Sequence, residues 1–204
     1  MARRRALPAL VLLAGCAAAR AAAQECHRGG ADVPLLRVAW IERAPLDPLA
    51  FAQMEREAGE ILDRLGLRVS LQRGTSSQLL DHELRVVLLD SFAPDERVVM
   101  GATLLPWSIG RGARIYIFGP AVRGLVAHER FRPDVARRHG RALARILTHE
   151  IVHALAPGLG HAEEGLMSRT LKADTLDSPV AIDAQTLAAL EPVVAAFAAQ
   201  VVDQ

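Results

Sequence analysis

The sequence predicts an α+β fold: a mixed β-sheet with a covering helix, then a long helix, a tight turn and a closing C-terminal helix. Three observations carry this expectation. Short, β-rich apolar runs recur between residues 35 and 118, interrupted by one amphipathic segment. From Val135 to Ala156 the apolar residues recur at helical spacing and form a stripe broad enough to be buried. Pro157-Gly158 ends that run, and a last helical pattern occupies residues 184 to 201.

Composition supplies the core and excludes some partners. Of 204 residues, 51% are hydrophobic but only 4% aromatic, so the interior must be built from Leu, Val, Ile and Ala. A net charge of +1 gives no global field for nucleic acid or an acidic membrane surface, so neither is expected as a partner. Lys172 is the only lysine among 24 basic residues, a bias that reads as genome composition rather than function.

Residues 1–23 have the form of an export signal: Arg3-Arg4-Arg5, an apolar stretch from Ala6 to Ala14, and small residues at Ala21-Ala22-Ala23. The apolar run is too short for a permanent membrane span. Two endings stay open. Leu13-Ala14-Gly15-Cys16 resembles the bacterial lipobox, which makes Cys16 a candidate lipid-bearing terminus, whereas cleavage after Ala23 releases a soluble chain. Either way the expected location is outside the cytoplasm: periplasmic, secreted or lipid-anchored to the envelope. Cys26 is the only other cysteine, so no internal disulfide is expected.

Residues 24–34 read as a leader, and 35–204 as a single domain. Leu35 to Ile41 is a strand candidate. Asp47 is an N-cap candidate for an amphipathic helix that stops at Gly66, with Glu55, Arg56, Glu57, Glu60, Asp63 and Arg64 on an expected solvated face. Strands follow at 67–72, 84–89, 98–105 and 114–118, the second apolar enough for the middle of a sheet. Turns are expected at 74–77, 94–96 and 106–112. A helix is expected over 121–130, and Pro133-Asp134 marks the start of the next, in which Gly140 is a tolerable interruption. Leu171 to Asp177 is connective, Ser178-Pro179 sets a turn, Asp183 caps the closing helix, and Pro192 is a candidate kink.

Chemistry concentrates at Thr148-His149-Glu150-Ile151-Val152-His153. Four residues turn an α-helix through about 400°, so His149 and His153 point the same way and can share one tetrahedral Zn²⁺. Glu150 flanks that face, placed to take a proton from metal-activated water. Two histidines leave a catalytic zinc short of its usual three protein ligands. The turn Pro157-Gly158-Leu159-Gly160 delivers His161 as the third, with Glu163 and Glu164 as alternatives. His27, His82, His128 and His139 read as surface or supporting residues; His139 lies about 80° round the helix from His149.

These residues resemble the metzincin-like zinc metallopeptidases, whose pattern is H-E-x-x-H-x-x-G-x-x-H followed by a methionine turn. His149, Glu150 and His153 match directly, His161 stands for the third ligand, and Gly165-Leu166-Met167 looks like the turn. Two departures are plain: Ala156 occupies the family's glycine position, and the third histidine comes two residues late. The spacing H-E-x-x-H-x₇-H, then Gly-x-Met, is similar to a group of small exported bacterial proteins. The resemblance implies one catalytic zinc and hydrolysis of a peptide or protein substrate paired with a sheet edge, supplied by Val98 to Leu105 or Arg114 to Phe118. Tyr116, the only tyrosine, is a candidate for oxyanion support. Two other readings remain: a zinc-binding envelope protein without turnover, and a hydrolase of a non-protein amide.

Overall fold

A computed structural model describes residues 33–74, 84–93, 99–104, 113–127 and 132–202. The export signal, Cys16, Cys26, His27, His82, His128 and the turns expected at 75–77, 94–96 and 106–112 lie outside the described residues.

Five strands form one sheet: β1 (Leu35–Glu42), β2 (Arg68–Arg73), β3 (Leu84–Leu89), β4 (Gly101–Leu104) and β5 (Ala113–Phe118). Their order is β2-β1-β3-β5-β4, all parallel except β4, which pairs antiparallel with β5. The apolar run of β3 lies inside the sheet, between β1 and β5. β5 is also interior, so Arg114 to Phe118 is not an edge; of the two segments expected to supply one, only β4 does.

The first helix, α1 (Pro48–Arg64), begins where expected. The Asp47 carboxylate accepts from Leu49 N at 2.8 Å, and Pro48 opens the first turn, where its missing N–H costs nothing. The helix ends before Gly66, whose φ of 78° suits a residue without Cβ. Next, α2 (Gly119–Val126) starts two residues earlier than the sequence pattern suggested. The long helix is α3 (Arg132–Leu155), and α4 (Ala184–Val202) closes the chain. Asp183 caps α4 by accepting from Thr186 N at 2.8 Å and Thr186 Oγ1 at 2.7 Å.

Period-2 alternation decides what the sheet buries. Val38, Trp40, Val86, Leu88, Ile115 and Ile117 share one face with Met54, Ile61, Leu62, Leu143, Leu147 and Ile151 of α1 and α3 in the main core. Tyr116 and Phe118 belong to a separate apolar cluster with Ala93, Ala102 and Ala121. Trp40 is fully buried and its indole N–H donates to Glu42 Oε1 at 2.9 Å, which satisfies the one polar atom of that ring.

Two expectations change at the α1–α3 contact. Gly140 is the crossing point of the helices: a Cβ there would lie 2.4 Å from Ala50 O and 2.6 Å from Gln53 Cβ. Glu57 does not face solvent as expected, since its side chain is 12% exposed and ion-paired with Arg145 and Arg141 of α3.

Gly140→Ala is therefore expected to destabilise the fold by about 1–3 kcal/mol through overpacking, despite alanine's better helix propensity. Thermal melting checks this: an unchanged or raised Tm would show that the helices can part without loss. A second expectation concerns acid. His139 of α3 is pushed down to about 4, mainly by desolvation and also by Arg123, with Asp47 opposing. An unfolded histidine protonates near 6.5, so the denatured chain takes up this proton first as pH falls. The contribution is intact above pH 6.5 and is lost between about 6.5 and 4, by up to about 3 kcal/mol. Urea unfolding at pH 7 and pH 5 should show a smaller acid loss in His139→Gln than in the parent.

Candidate metal centre

The site grows from one face of α3. Ile146, Leu147, Ile151 and Val152 are buried, which fixes the helix, and His149 and His153 project one turn apart from it. The chain leaves the helix through Pro157-Gly158 and returns His161 to the same place. His153 Nε2 lies 3.1 Å from His149 Nε2 and 3.3 Å from His161 Nε2. A tetrahedral zinc with bonds of 2.0–2.1 Å places ligand nitrogens about 3.3 Å apart, close to both spacings from His153.

The tautomer supports the same conclusion. His149 Nδ1 donates to the Leu166 carbonyl at 2.8 Å, which leaves Nε2 as a lone pair facing the cluster. Burial holds all three histidines below their ordinary range, with His153 at about 4 through desolvation and then its neighbours His149 and His161. Neutral imidazoles are the form that binds a metal. His149, His153 and His161 are a group whose ligand atoms lie within 4.8 Å of one another. Glu163 and Glu164, the alternative third ligands, are exposed and outside that group.

Glu150 is on the adjacent face, 7% exposed, against edge strand β4. Thr103 Oγ1 donates to Glu150 Oε2 at 2.7 Å and also lies 3.0 Å from the Glu150 carbonyl. Gly101 makes that approach possible, because a Cβ there would meet Glu150 Oε1 at 2.7 Å and Ile146 Cγ2 at 2.8 Å. Burial raises Glu150 above the usual carboxylate range, while the Thr103 hydrogen bond and the His161 charge pull it down. Oε1 has no hydrogen-bond partner among the described residues.

Gly165-Leu166-Met167 forms a tight turn. Gly165 has φ 82°, Ser168 N donates to Gly165 O at 3.2 Å, and Met167 is 1% exposed in the main core. Tyr116 is not brought to the histidines. Its neighbours Ile115 and Ile117 face the helices, so its own side chain lies on the opposite side of the sheet with Ala102 and Phe118. Sequence reasoning missed Thr103 and Gly101. Neither carries a motif, and only the pairing of β4 with β5 shows which of its residues face α3.

No protein-family model and no curated protein matches the chain. Among solved structures, the crystal structure of archaemetzincin from Methanopyrus kandleri aligns with a TM-score of 0.50 and 17% identity, over 78% of this chain and 95% of that one. The fold is similar to that of archaemetzincin. The metzincin-like architecture expected from the sequence is thus present, among the described residues, as a five-stranded mixed sheet with four helices.

The purified chain is expected to take up one zinc per molecule, and zinc at a hundred times its Kd should stabilise the fold by about 2.7 kcal/mol. His161→Ala should lose most of that affinity. Metal analysis and calorimetry check both, and near-stoichiometric zinc in His161→Ala would remove it from the ligand set.

Proposed function

We propose that the chain is a zinc-dependent hydrolase of peptide bonds acting outside the cytoplasm. The observation that carries this reading is the convergence of three neutral imidazole nitrogens beside a buried glutamate whose Oε2 is held by Thr103. The N-terminal export pattern supports the location, and the archaemetzincin-like fold agrees with the chemistry.

His149, His153 and His161 would hold the ion, leaving one position open. Zinc bound there supplies Lewis acidity, which polarises a carbonyl and acidifies water. Glu150 takes the proton from the attacking water at Oε1 and returns it to the leaving amine. Thr103 holds Oε2, so the carboxylate presents the other oxygen. The peptide substrate is expected to lie along β4, the sheet edge next to α3.

Glu150→Gln should retain zinc and lower peptide hydrolysis by about 10²–10⁴-fold. Thr103→Val should lower kcat by roughly tenfold, the worth of a hydrogen bond to a charged group. A peptide library assayed by mass spectrometry checks both. Undiminished cleavage by Glu150→Gln would exclude it as the base, and no cleavage by the zinc-loaded parent would favour a binding protein.

A further inference from the structure

The stripe of α3 that carries the histidines also carries Arg138, Arg141 and Arg145. Steps of three, four and four residues lead from Arg138 to His149, so all four side chains leave a narrow strip of the helix. The arginines grip the main chain of residues 173–178, whose first part is a 3₁₀ turn (Ala173–Asp177). Arg138 Nη2 donates to Ala173 O at 2.8 Å and Arg141 Nη1 to Leu176 O at 2.9 Å. Arg145, 5% exposed, donates to Thr175 O at 2.7 Å, Leu176 O at 3.3 Å and Ser178 O at 2.5 Å, and its Nε to Glu57 Oε1 at 3.1 Å. From α1, Arg64 Nη1 reaches Val180 O at 2.9 Å.

The next carbonyl continues the chain of contacts to the metal centre. Ala181 O accepts from Leu166 N at 2.8 Å, and the carbonyl of Leu166 accepts from His149 Nδ1 at 2.8 Å. Gly165 leaves no room for slack, since a Cβ there would sit 2.7 Å from Ala181 O. Both backbone groups of Leu166 are thus bonded, its N–H to the carbonyl of Ala181 and its oxygen to the histidine.

We propose that residues 173–181 form a strap, clamped by Arg145 and its neighbouring arginines, which positions the Leu166 carbonyl and so fixes the tautomer and orientation of His149. Arg145 is a positioning residue for a ligand it does not touch. The fork geometry is what matters: one guanidinium spans three carbonyls and a carboxylate, whereas an ammonium has three donors on one atom and cannot reach the same set. Use of the strap for metal binding rests on the zinc reading above, but the fixing of the imidazole does not.

The test has two readouts on the full chain. Long-range ¹H–¹⁵N correlation on the metal-free protein reports whether His149 carries its proton on Nδ1, and chelator competition reports zinc affinity. Arg145→Lys keeps the charge beside Glu57 but removes the fork. It should lower the Nδ1–H population and weaken zinc binding by about 10–100-fold, the usual cost of losing support behind a ligand. Arg64→Gln, on the surface, should shift both readouts in the same direction by less and carries the test if Arg145→Lys does not fold. An unchanged tautomer in the folded variants, with zinc affinity within about twofold of the parent, would overturn the proposal. Failure of the parent to bind zinc would count against the metal reading instead, and the tautomer readout would still decide the strap.

Discussion

The immobility of α3 is the constraint on which the rest of the structure depends. Two of the three clustered histidines and the adjacent glutamate leave one helix, so their relative geometry is only as fixed as that helix. Its inner face is packed against the sheet and α1, with Leu143, Leu147, Ile151 and Val152 fully buried. The absence of a side chain at Gly140 lets α1 lie directly on it, and the Glu57 pairs with Arg141 and Arg145 tie the same two helices by charge. Removing one member of a buried pair leaves the other uncompensated, so these contacts resist piecemeal change.

Around that helix the site is assembled from three directions. The turn after Pro157 returns His161 to the ligand face. The turn at Gly165-Leu166-Met167 supplies the carbonyl that bonds His149 Nδ1, and the segment beyond it holds the Leu166 N–H. The edge strand supplies the hydroxyl that holds one oxygen of Glu150. Each contact constrains one side chain without occupying the space between the imidazoles, which is what an open coordination position requires.

Much of this was legible in the sequence, for physical reasons that differ between elements. The helix that carries the histidines could be read because burial forces a 3.6-residue period on Ala142, Leu143, Ile146 and Leu147, and a four-residue step puts His149 and His153 on one face. His161 could be read because two glycines and a proline must reverse the chain. Gly140 was taken for a tolerated interruption because its reason lies in α1, ninety residues earlier. The arginine excess was put down to genome composition, yet at 138, 141 and 145 the guanidinium shape has a use that lysine lacks. Glu57 fitted a solvated face by spacing alone, and its partner on α3 is 88 residues away. Tyr116 was singled out for its rarity, and strand alternation then put it on the far side of the sheet.

The sheet order also has a kinetic consequence. Three of the four ladders are parallel and join strands that are not adjacent in the hairpin sense, with Val38 paired to Leu84 and Leu84 to Ala113. Such pairings close long loops before any contact repays the entropy, and they form slowly. Among the described strands only β4 and β5 are joined by a local antiparallel pairing, and β4 is the strand that carries Gly101 and Thr103. The half of the site that holds Glu150 thus draws on the one ladder able to form early. The half that holds His149 waits for residues 173–181 to close, near the end of the chain.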